Sequence, residues 1–520
     1  MQESPLSKWW REREGLVVLL LTGAAIALWL GGLGEVPLRD WDEGSHALAA
    51  RELYRTGRWL HLTLFDDPYW YKPPCGYWLI AASYWVQGTV TEWSSRLPLA
   101  LVTALGVPLL YGLGRELFQS RQPAFLGAAT YLTLLPVVRH GRLVMLDGVT
   151  NTFFIALLYC LARSRRQRPW ALGIGLALGA IALTKSVIVL ALWAIAGLWV
   201  LLDRDWALFR NPWAWLGLLL GGGGTVAWYA AQGAHYGPIF WEIHLQAQGF
   251  DRLSEAVEGN QGPPWYYVLE LLKSAWPWLL FWPGGLWLAW RQRSQTWARL
   301  VLSGSALFFA TISLMGTKLP WYIQPLYPLF ALTVGAQLAQ FWQQPPRSRR
   351  WVLPFLLLAL AGVAGLGYFL IAEPQPVLIL LGITLTGVML AVAVQVGRGD
   401  RRFLATLVAG SYLCLGLFLH SSVWNWELNE TFAAPPVGAL IRTATPETAV
   451  VYTSFAYHRP SVEFYGDRRV IPAGGPELAA HGRAGHYLLV DEPTFAWLNL
   501  RQPRILGRAE GFILLAPTTP

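Results

Sequence analysis

The chain has 520 residues, of which 54% are hydrophobic and 14% charged, and it contains 30 tryptophans. This composition excludes an ordinary soluble globular protein and indicates a chain made mostly of membrane-spanning helices. The formal net charge of +9 does not indicate nucleic-acid binding, because the basic residues cluster in short loops between apolar segments. The three cysteines lie far apart and predict neither a disulfide framework nor a thiolate metal site.

Long apolar segments predict thirteen membrane-spanning helices, since a spanning helix needs roughly 17 to 25 residues. Their approximate limits are 16–33, 97–114, 123–138, 149–162, 169–184, 187–202, 213–231, 276–290, 298–315, 320–341, 351–371, 376–396 and 403–420. The first has no convincing cleavage site and is interpreted as a retained helix. The segment 76–92, which contains Trp78, Tyr84 and Trp85, is either a fourteenth span or a helix at the membrane surface, where aromatic residues concentrate.

The basic residues decide between these two topologies. If 76–92 lies at the membrane surface, every second loop is basic, as the positive-inside rule requires. The basic clusters are Lys8, Arg11 and Arg13; Arg115 and Arg121; Arg163, Arg165, Arg166 and Arg168; Arg204 and Arg210; Arg291 and Arg293; Arg347, Arg349 and Arg350; Arg398, Arg401 and Arg402. This alternation predicts a multi-pass protein of the cell (inner) membrane with a cytoplasmic N-terminus and an extracytoplasmic C-terminal domain.

The same topology assigns a set of charged residues to the outer face. Charged groups near the ends of spans are costly to place there and are often functional. A lysine at such a position can alternatively extend its ammonium group to the membrane surface without a functional role. The set consists of Asp42, Glu43, Lys72, Asp147, Lys185, Arg252 and Lys318.

The first extracytoplasmic loop, 34–96, contains two short motifs, Trp41-Asp42-Glu43-Gly44 and Tyr71-Lys72-Pro73-Pro74. Asp42 is either the cap of the helix predicted to follow or a catalytic base. Neighbouring side chains on a helix diverge by about 100°, so only one of Asp42 and Glu43 points squarely into a site. Lys72 is either an anchor at the membrane surface or a point-charge partner for a phosphate.

Three later segments carry weaker signals. Asp147 either caps the helix that begins near Gly148 or belongs to a second acidic loop. Lys185 ends a segment similar to a P-loop, but the segment lacks the second glycine and lies in an apolar span, so it does not predict a nucleotide cradle. The run from Gly221 to Gly224 predicts close helix packing.

The segment 235–275 contains the longest connection after the first loop. It is either an ordinary solvated loop or a mobile flap over the substrate, with Arg252 as a phosphate or sugar contact. The run from Gly316 to Tyr322, followed by Pro325, places Lys318 in a Lys-x-Pro-x-Tyr-x-x-Pro turn.

Together these motifs resemble the polytopic GT-C glycosyltransferases. More narrowly, the acidic pair thirty positions before a Lys-Pro, and the later Lys-x-Pro-x-Tyr turn, resemble the branch with protein O-mannosyltransferases and the lipid A aminoarabinose transferase. These enzymes take a sugar from a polyprenyl phosphate carrier. The resemblance implies that Asp42 is the general base and that Glu43 orients it or contacts substrate. It further implies donor phosphate binding by Lys72, Arg252 and Lys318, and substrate binding by Asp147, Lys185 and Tyr322.

The resemblance also implies the architecture: a polytopic α-helical membrane protein of the GT-C fold with a small C-terminal extracytoplasmic α/β domain. We expect a transmembrane domain over 1–424 and the α/β domain over 425–520. Strand-like runs in the latter are Ala449–Tyr452, Arg469–Ile471, His486–Val490 and Gly511–Leu515, with a helix-compatible run at Pro476–His481.

Two positions depart from the lipid A enzymes: Ser45 stands in place of a typical arginine, and Tyr71 in place of a carboxylate. They do not support lipid A as the acceptor. No spacing of ligand residues indicates a metal, so no cofactor is expected, while a divalent ion stays open.

The sequence therefore predicts an inverting glycosyltransferase that moves a sugar from a polyprenyl-phosphate carrier to a lipid, glycan or protein acceptor at the outer face. We expect contact with membrane lipids, no nucleic-acid partner, and a monomer. The alternative is a transporter or lipid flippase. It is less favoured because the chain shows no internal repeat and the charged groups gather on one face.

Overall fold

The computed structural model describes residues 14–40, 42–65, 67–346, 348–372, 374–425, 433–500 and 503–517. The basic residues Lys8, Arg11, Arg13 and Arg347, used above to predict topology, lie outside these ranges. The chain forms two compact units. The helical unit comprises the described parts of Met1–Leu33, Trp70–Gly76 and Leu97–Trp424, and the α/β unit comprises those of Gly34–Tyr69, Tyr77–Arg96 and Asn425–Pro520.

The helical unit contains long apolar α-helices joined by short turns. Its α-helices are Glu14–Leu30, Gly106–Leu117, Arg121–Leu132, Leu135–Arg142, Leu146–Ser164, Leu172–Ala182, Ile188–Asp203, Pro212–Tyr236, Pro238–Trp241, Asp251–Ser254, Tyr266–Ser274, Trp282–Arg291, Thr296–Leu314, Leu326–Gln343, Arg349–Ile371, Pro376–Gly397 and Phe403–Leu419. Shorter turns of 3-10 helix are Arg168–Ala171, Trp206–Arg210, Val257–Gly259, Trp278–Phe281 and Pro320–Ile323, and Glu242–Phe250 is a π-helix. The helix Glu92–Ala104 begins in the α/β unit and ends in the helical unit.

Each predicted span overlaps a helix, but length and apolar character vary. Within the described ranges, four segments are long and apolar enough to cross a membrane, or five if the bent pair Leu135–Arg142 and Leu146–Ser164 counts as one span. Two of the four, Arg349–Ile371 and Pro376–Gly397, bury only 17% and 28% of their apolar windows, which suits contact with lipid. The number of thirteen spans stays a prediction.

The segment 76–92 contains the helix Cys75–Gln87, which has 13 residues. A helix of that length rises about 20 Å, less than the roughly 30 Å hydrocarbon core of a bilayer. The length of this helix favours a position at the membrane surface over a fourteenth span. The surface position stays a prediction.

Glycines bring two helices of the helical unit into direct backbone contact. A Cβ at Gly175 would lie 2.0 Å from the carbonyl carbon of Gly217, and one at Gly221 would lie 2.0 Å from the carbonyl oxygen of Gly175. The helices Leu172–Ala182 and Pro212–Tyr236 therefore pack at a distance that only glycine permits. The predicted packing role fits Gly221, whereas a Cβ at Gly222, Gly223 or Gly224 would meet no atom within 4 Å.

The strands of the α/β unit are β1 (Thr63–Leu64), β2 (Asp67–Pro68), β3 (Val450–Thr453), β4 (Arg469–Pro472), β5 (Tyr487–Asp491), β6 (Ile505–Ala509) and β7 (Phe512–Leu515). They form a five-stranded sheet of order β4-β3-β5-β7-β6 and a small ribbon, β1-β2. Strand β3 pairs in parallel with β4 and β5, and β7 pairs antiparallel with β5 and β6. The α-helices are Asp42–Thr56, Ala434–Ala444, Pro460–Gly466, Gly475–Arg483 and Glu492–Leu498, together with Cys75–Gln87 from residue 77 onward.

The first loop belongs largely to this α/β unit, and not to the domain 1–424 in which the sequence placed it. The physical reason is a set of contacts between helices Asp42–Thr56 and Pro460–Gly466. Arg51, which is buried, donates to the backbone oxygen of Phe464 at 2.8 Å and lies 3.3 Å from the carboxylate of Asp467. These partners are more than 400 positions apart in the chain, so no local pattern could indicate the contact.

Candidate functional site

Backbone hydrogen bonds hold the Lys72 segment from both sides within the helical unit. The backbone oxygen of Trp70 lies 2.6 Å from His244 Nδ1, and the backbone N–H of Cys75 donates to the oxygen of Leu183 at 2.9 Å. Pro73 and Pro74 between them are buried, and each proline fixes its φ angle. Lys72 is thus presented on a segment with little conformational freedom, as a binding residue requires.

A glutamine connects Lys72 with Arg252. Gln248 Oε1 accepts hydrogen bonds from Lys72 Nζ at 3.4 Å and from Arg252 Nη2 at 3.3 Å. Gln248 lies in the π-helix Glu242–Phe250, a helix type found frequently at functional sites, and Arg252 follows in the next helix. A single amide oxygen thus lies between these two cations.

Tyr322 and Lys185 extend this arrangement. Arg252 Nη1 donates to the Tyr322 hydroxyl at 3.2 Å, and Lys185 Nζ lies 5.0 Å from the centre of the Tyr322 ring. Lys185 Nζ also donates to Asp147 Oδ1 at 2.6 Å. We call the continuous set Lys72, Gln248, Arg252, Tyr322, Lys185 and Asp147 the cation network. It contains three positive charges and one negative charge.

Asp147 does not cap the helix on which it lies. The helix Leu146–Ser164 begins without a side-chain cap, and the buried Asp147 carboxylate is instead paired with Lys185. Of the two interpretations of Asp147, the helix cap is therefore wrong.

Lys318 does not join the cation network through its ammonium group. Its Nζ donates to the backbone oxygens of Ile312, Ser313 and Met315, at 2.9, 2.7 and 2.5 Å. These carbonyls end the helix Thr296–Leu314, where a positive charge is favourable. The buried Lys318 side chain thus supports a helix terminus, which argues against the predicted contact with the donor phosphate.

The turn before Lys318 holds the Arg252 segment. The backbone N–H of Gly316 donates to Leu253, and that of Thr317 donates to Arg252, at 2.8 and 3.1 Å. A Cβ at Gly316 would lie 2.6 Å from the backbone of Glu255, so only glycine fits there. The Gly-Thr-Lys turn therefore positions Arg252.

The predicted flap is mostly helical in the described residues and includes a buried histidine. His244 Nδ1 faces a carbonyl oxygen and its Nε2 lies 3.1 Å from the Tyr229 hydroxyl, which assigns a neutral ring with the proton on Nδ1. Burial lowers the pKa of His244 to about 4, and the charge of Lys72 acts in the same direction. Motion of this segment stays a prediction.

Asp42 and Glu43, at the start of the helix Asp42–Thr56, lie in the α/β unit and differ in environment. Glu43 is buried and forms two 2.8 Å bonds with the guanidinium of Arg96, and it accepts from the backbone N–H of Arg39 at 3.1 Å. Asp42 is half-buried. A carboxylate occupied by a fully buried arginine supports structure, so the predicted substrate contact by Glu43 does not fit and an orienting role remains.

The structure thus brings together five of the residues predicted from sequence, Lys72, Asp147, Lys185, Arg252 and Tyr322, through the unpredicted Gln248. The described residues contain no group of three or more His, Cys, Asp or Glu side chains that could hold a metal ion.

The fold resembles that of polytopic GT-C membrane glycosyltransferases. It is similar to the crystal structure of ArnT from Cupriavidus metallidurans bound to undecaprenyl phosphate, with a TM-score of 0.78, 20% identity, and coverage of 96% of this chain and 97% of that one. It is also similar to the archaeal oligosaccharyltransferase AglB from Archaeoglobus fulgidus in complex with an inhibitory peptide and a dolichol-phosphate, with a TM-score of 0.54, 12% identity, and coverage of 94% and 70%. At these identities the likeness concerns the fold.

Sequence comparisons narrow the resemblance. Residues 71–222 match the family described as dolichyl-phosphate-mannose-protein mannosyltransferase. Over 306 residues, or 57% of the chain, the sequence is 32% identical to the undecaprenyl phosphate-alpha-4-amino-4-deoxy-L-arabinose arabinosyl transferase of Pectobacterium carotovorum. The alignment covers 54% of that relative, so the chain spans about half the length of the curated relatives it matches. The predicted resemblance to GT-C glycosyltransferases is confirmed.

Proposed function

We propose that the protein is an inverting glycosyltransferase that moves a sugar from a polyprenyl-phosphate carrier to a lipid, glycan or protein acceptor. The observation that carries the proposal is the convergence of Lys72 and Arg252 on the single oxygen of Gln248. Two cations held about one neutral acceptor suit an anion with several oxygens, because charge-assisted bonds to phosphate are the strong ones. The donors named for the relatives agree with this chemistry.

In the proposed reaction, the acceptor's nucleophile attacks the anomeric carbon while the bond from that carbon to the phosphate oxygen breaks. The polyprenyl phosphate departs with the bonding electrons, and Lys72 and Arg252 stabilise the charge that develops on it. The Tyr322 hydroxyl accepts from Arg252 at 3.2 Å, so its own proton remains available for a phosphate oxygen. The Lys185–Asp147 ion pair holds Lys185 against the Tyr322 ring and so supports the hydroxyl's position.

Asp42 is included in the proposal as the group that receives the acceptor's proton. The resemblance and the half-buried carboxylate support this assignment, and the full occupation of Glu43 by Arg96 favours Asp42 over its neighbour.

The direct test incubates purified protein with a panel of polyprenyl-phosphate-linked sugars and cell-envelope acceptors and follows the release of polyprenyl phosphate. We expect release with at least one donor, and poor use of soluble nucleotide sugars. The same protein in proteoliposomes provides the transport control. Movement of an intact substrate across the bilayer, with no release of polyprenyl phosphate from any donor, would contradict the enzyme proposal and support a transporter.

The orientation in the membrane belongs to the same proposal, with a cytoplasmic N-terminus and an extracytoplasmic α/β domain. The proposed oligomeric state is a monomer. The alternating basic loops support the orientation. In a variant without native cysteines, single cysteines at Ser45 and Thr448 should react with an impermeant maleimide in outer-membrane-permeabilised cells, and one at Ser348 should not. Labelling of the Ser348 position alone would reverse the orientation.

A further inference from the structure

The α/β unit contains a cavity of about 650 Å³ where its parallel strands end. The residues that line it come from the segments at the ends of β3, β4 and β5 and include Ser454, Glu477, Thr494 and Trp497. This volume is within the roughly 300–1,000 Å³ typical of ligand pockets.

The cavity coincides with a topological switch point. The connection from β3 leads to β4 on one side, whereas β5 pairs on the other side of β3. The connecting helices cover opposite faces of the sheet: Val462 packs in one apolar cluster with Leu489, and Leu478 packs in another with Leu488. In open α/β sheets, ligands bind at the carboxyl ends of the strands where the connections diverge in this way.

The lining indicates the chemistry of a ligand. Trp497 lines the cavity and exposes 59% of its surface, so part of a flat apolar ring is accessible to a ligand. Ser454 and Thr494 supply hydroxyl groups; Ser454 Oγ accepts from the backbone of Asp491 at 3.1 Å and keeps its proton for donation. Among the described lining residues the single ionisable side chain is Glu477, a carboxylate, which disfavours a phosphate or another anion.

A sugar ring matches this combination. One face of a pyranose carries C–H groups that pack on an indole, and its edge carries hydroxyls that exchange hydrogen bonds with hydroxyl and carboxylate oxygens. We propose that the cavity binds an uncharged pyranose ring of a saccharide. The further assignment of this saccharide to the acceptor rests on the proposed function, since it narrows the acceptor to one that bears sugar; the binding itself does not rest on it.

Binding is tested by saturation-transfer NMR on the full-length protein in a detergent without a sugar headgroup. The probes are the methyl glycosides of glucose, galactose, mannose and N-acetylglucosamine, with glucose 6-phosphate as the anionic comparison. We expect transfer to at least one neutral glycoside and a dissociation constant raised roughly tenfold by Trp497→Ala, the scale of one aromatic contact.

The matched control is Trp85→Ala, which removes another exposed tryptophan of the same unit, 75% exposed. It should leave the dissociation constant unchanged, and the melting temperatures of both variants should equal that of the wild type. Absence of transfer from every neutral glycoside, preference for glucose 6-phosphate, or equal binding by Trp497→Ala and wild type would each overturn the proposal.

A kinetic measurement separates this inference from the proposed function. If the saccharide is the acceptor, Trp497→Ala should raise the acceptor KM and leave kcat and the donor KM unchanged. A wild-type protein that binds the glycosides through Trp497 but releases no polyprenyl phosphate would contradict the proposed function and still support the saccharide site. Normal transfer together with Trp497-independent glycoside binding would do the reverse.

Discussion

Removal of the Lys72 ammonium tests the cation network most directly. Lys72→Met keeps the length and apolar stem of the side chain but deletes its charge. A hydrogen bond to a charged group contributes about 1.5–3 kcal/mol, so kcat/KM for the donor should fall roughly 10- to 150-fold. Lys72→Arg keeps the charge in a planar fork, and we expect an intermediate loss.

Gln248 offers a sharper perturbation of the same contacts. Gln248→Glu is nearly isosteric, yet it replaces the oxygen 3.4 Å from Lys72 and 3.3 Å from Arg252 with a carboxylate. An internal anion there competes with the donor phosphate, so donor affinity should fall at least as much as in Lys72→Met. Gln248→Leu, which removes the contact without adding charge, should lose much less.

The assay is the initial rate of polyprenyl phosphate release over a range of donor concentrations. Lys273→Met is the matched control, because Lys273 belongs to the same unit, is 49% exposed, and lies 3.5 Å from Glu270 in a surface ion pair. It should change kcat/KM by less than about twofold, as expected for a surface pair. Equal rates for Lys72→Met and Lys273→Met, or a Gln248→Glu variant as active as Gln248→Leu, would refute the assignment of this network to the donor phosphate.

Three further predictions concern individual side chains. Asp42→Asn should lower the rate of transfer by roughly 10² without changing the melting temperature. Glu43→Gln should instead lower the free energy of unfolding by about 3–5 kcal/mol, because it leaves the buried charge of Arg96 without its carboxylate. A normal melting temperature for Glu43→Gln would contradict the structural role of Glu43. Asp147→Asn leaves the partly exposed Lys185 charge without its carboxylate and should lower the free energy of unfolding by about 1–3 kcal/mol. The double variant Asp147→Asn/Lys185→Met should recover part of this loss. Thermal unfolding in detergent measures the stability of both variants. The pKa of His244 is lowered to about 4, from about 6.5 in the unfolded chain. Between these two pH values the unfolded state binds more protons than the folded state. The contribution of His244 to the free energy of unfolding is therefore fully present above about pH 6.5 and falls by up to about 3 kcal/mol as the pH is lowered to 4. His244→Asn should flatten that part of the melting-temperature profile, and an unchanged profile would show that another group is responsible.

The sequence located most elements because the signals for them are local. Apolar segments located the long helices of the helical unit, and strand-like runs located β3, β4, β5 and β7 within a few residues, whereas the helices Ala434–Ala444, Pro460–Gly466 and Glu492–Leu498 were not predicted. The two-residue strands β1 and β2 are too short to leave a pattern and were missed. Strand β6 was also missed, since Gly507 and Arg508 interrupt its apolar character and a register shift follows Ile505.

The candidate site was predictable as a set of residues, but not as a set of contacts. The pairing of Glu43 with Arg96 joins positions 53 apart in the chain, so an acidic pair near a helix start could equally indicate catalysis or structure. Lys318 lies in a recognisable turn, yet whether its ammonium faces a ligand or the preceding carbonyls depends on the path of the backbone. Gln248 is neutral, and its spacing of four residues before Arg252 was the one signal that could have indicated it.

The glycine contact between helices Leu172–Ala182 and Pro212–Tyr236 has a consequence for protein engineering. Alanine is favoured over glycine in a helix by about 1 kcal/mol, so a stabilisation campaign would propose replacing Gly175 or Gly221. The Leu172–Ala182 helix leads directly into Leu183, whose carbonyl holds the Lys72 segment, and then into Lys185. A single added methyl group would push the two helices apart, and the displacement would reach both the Lys72 segment and Lys185.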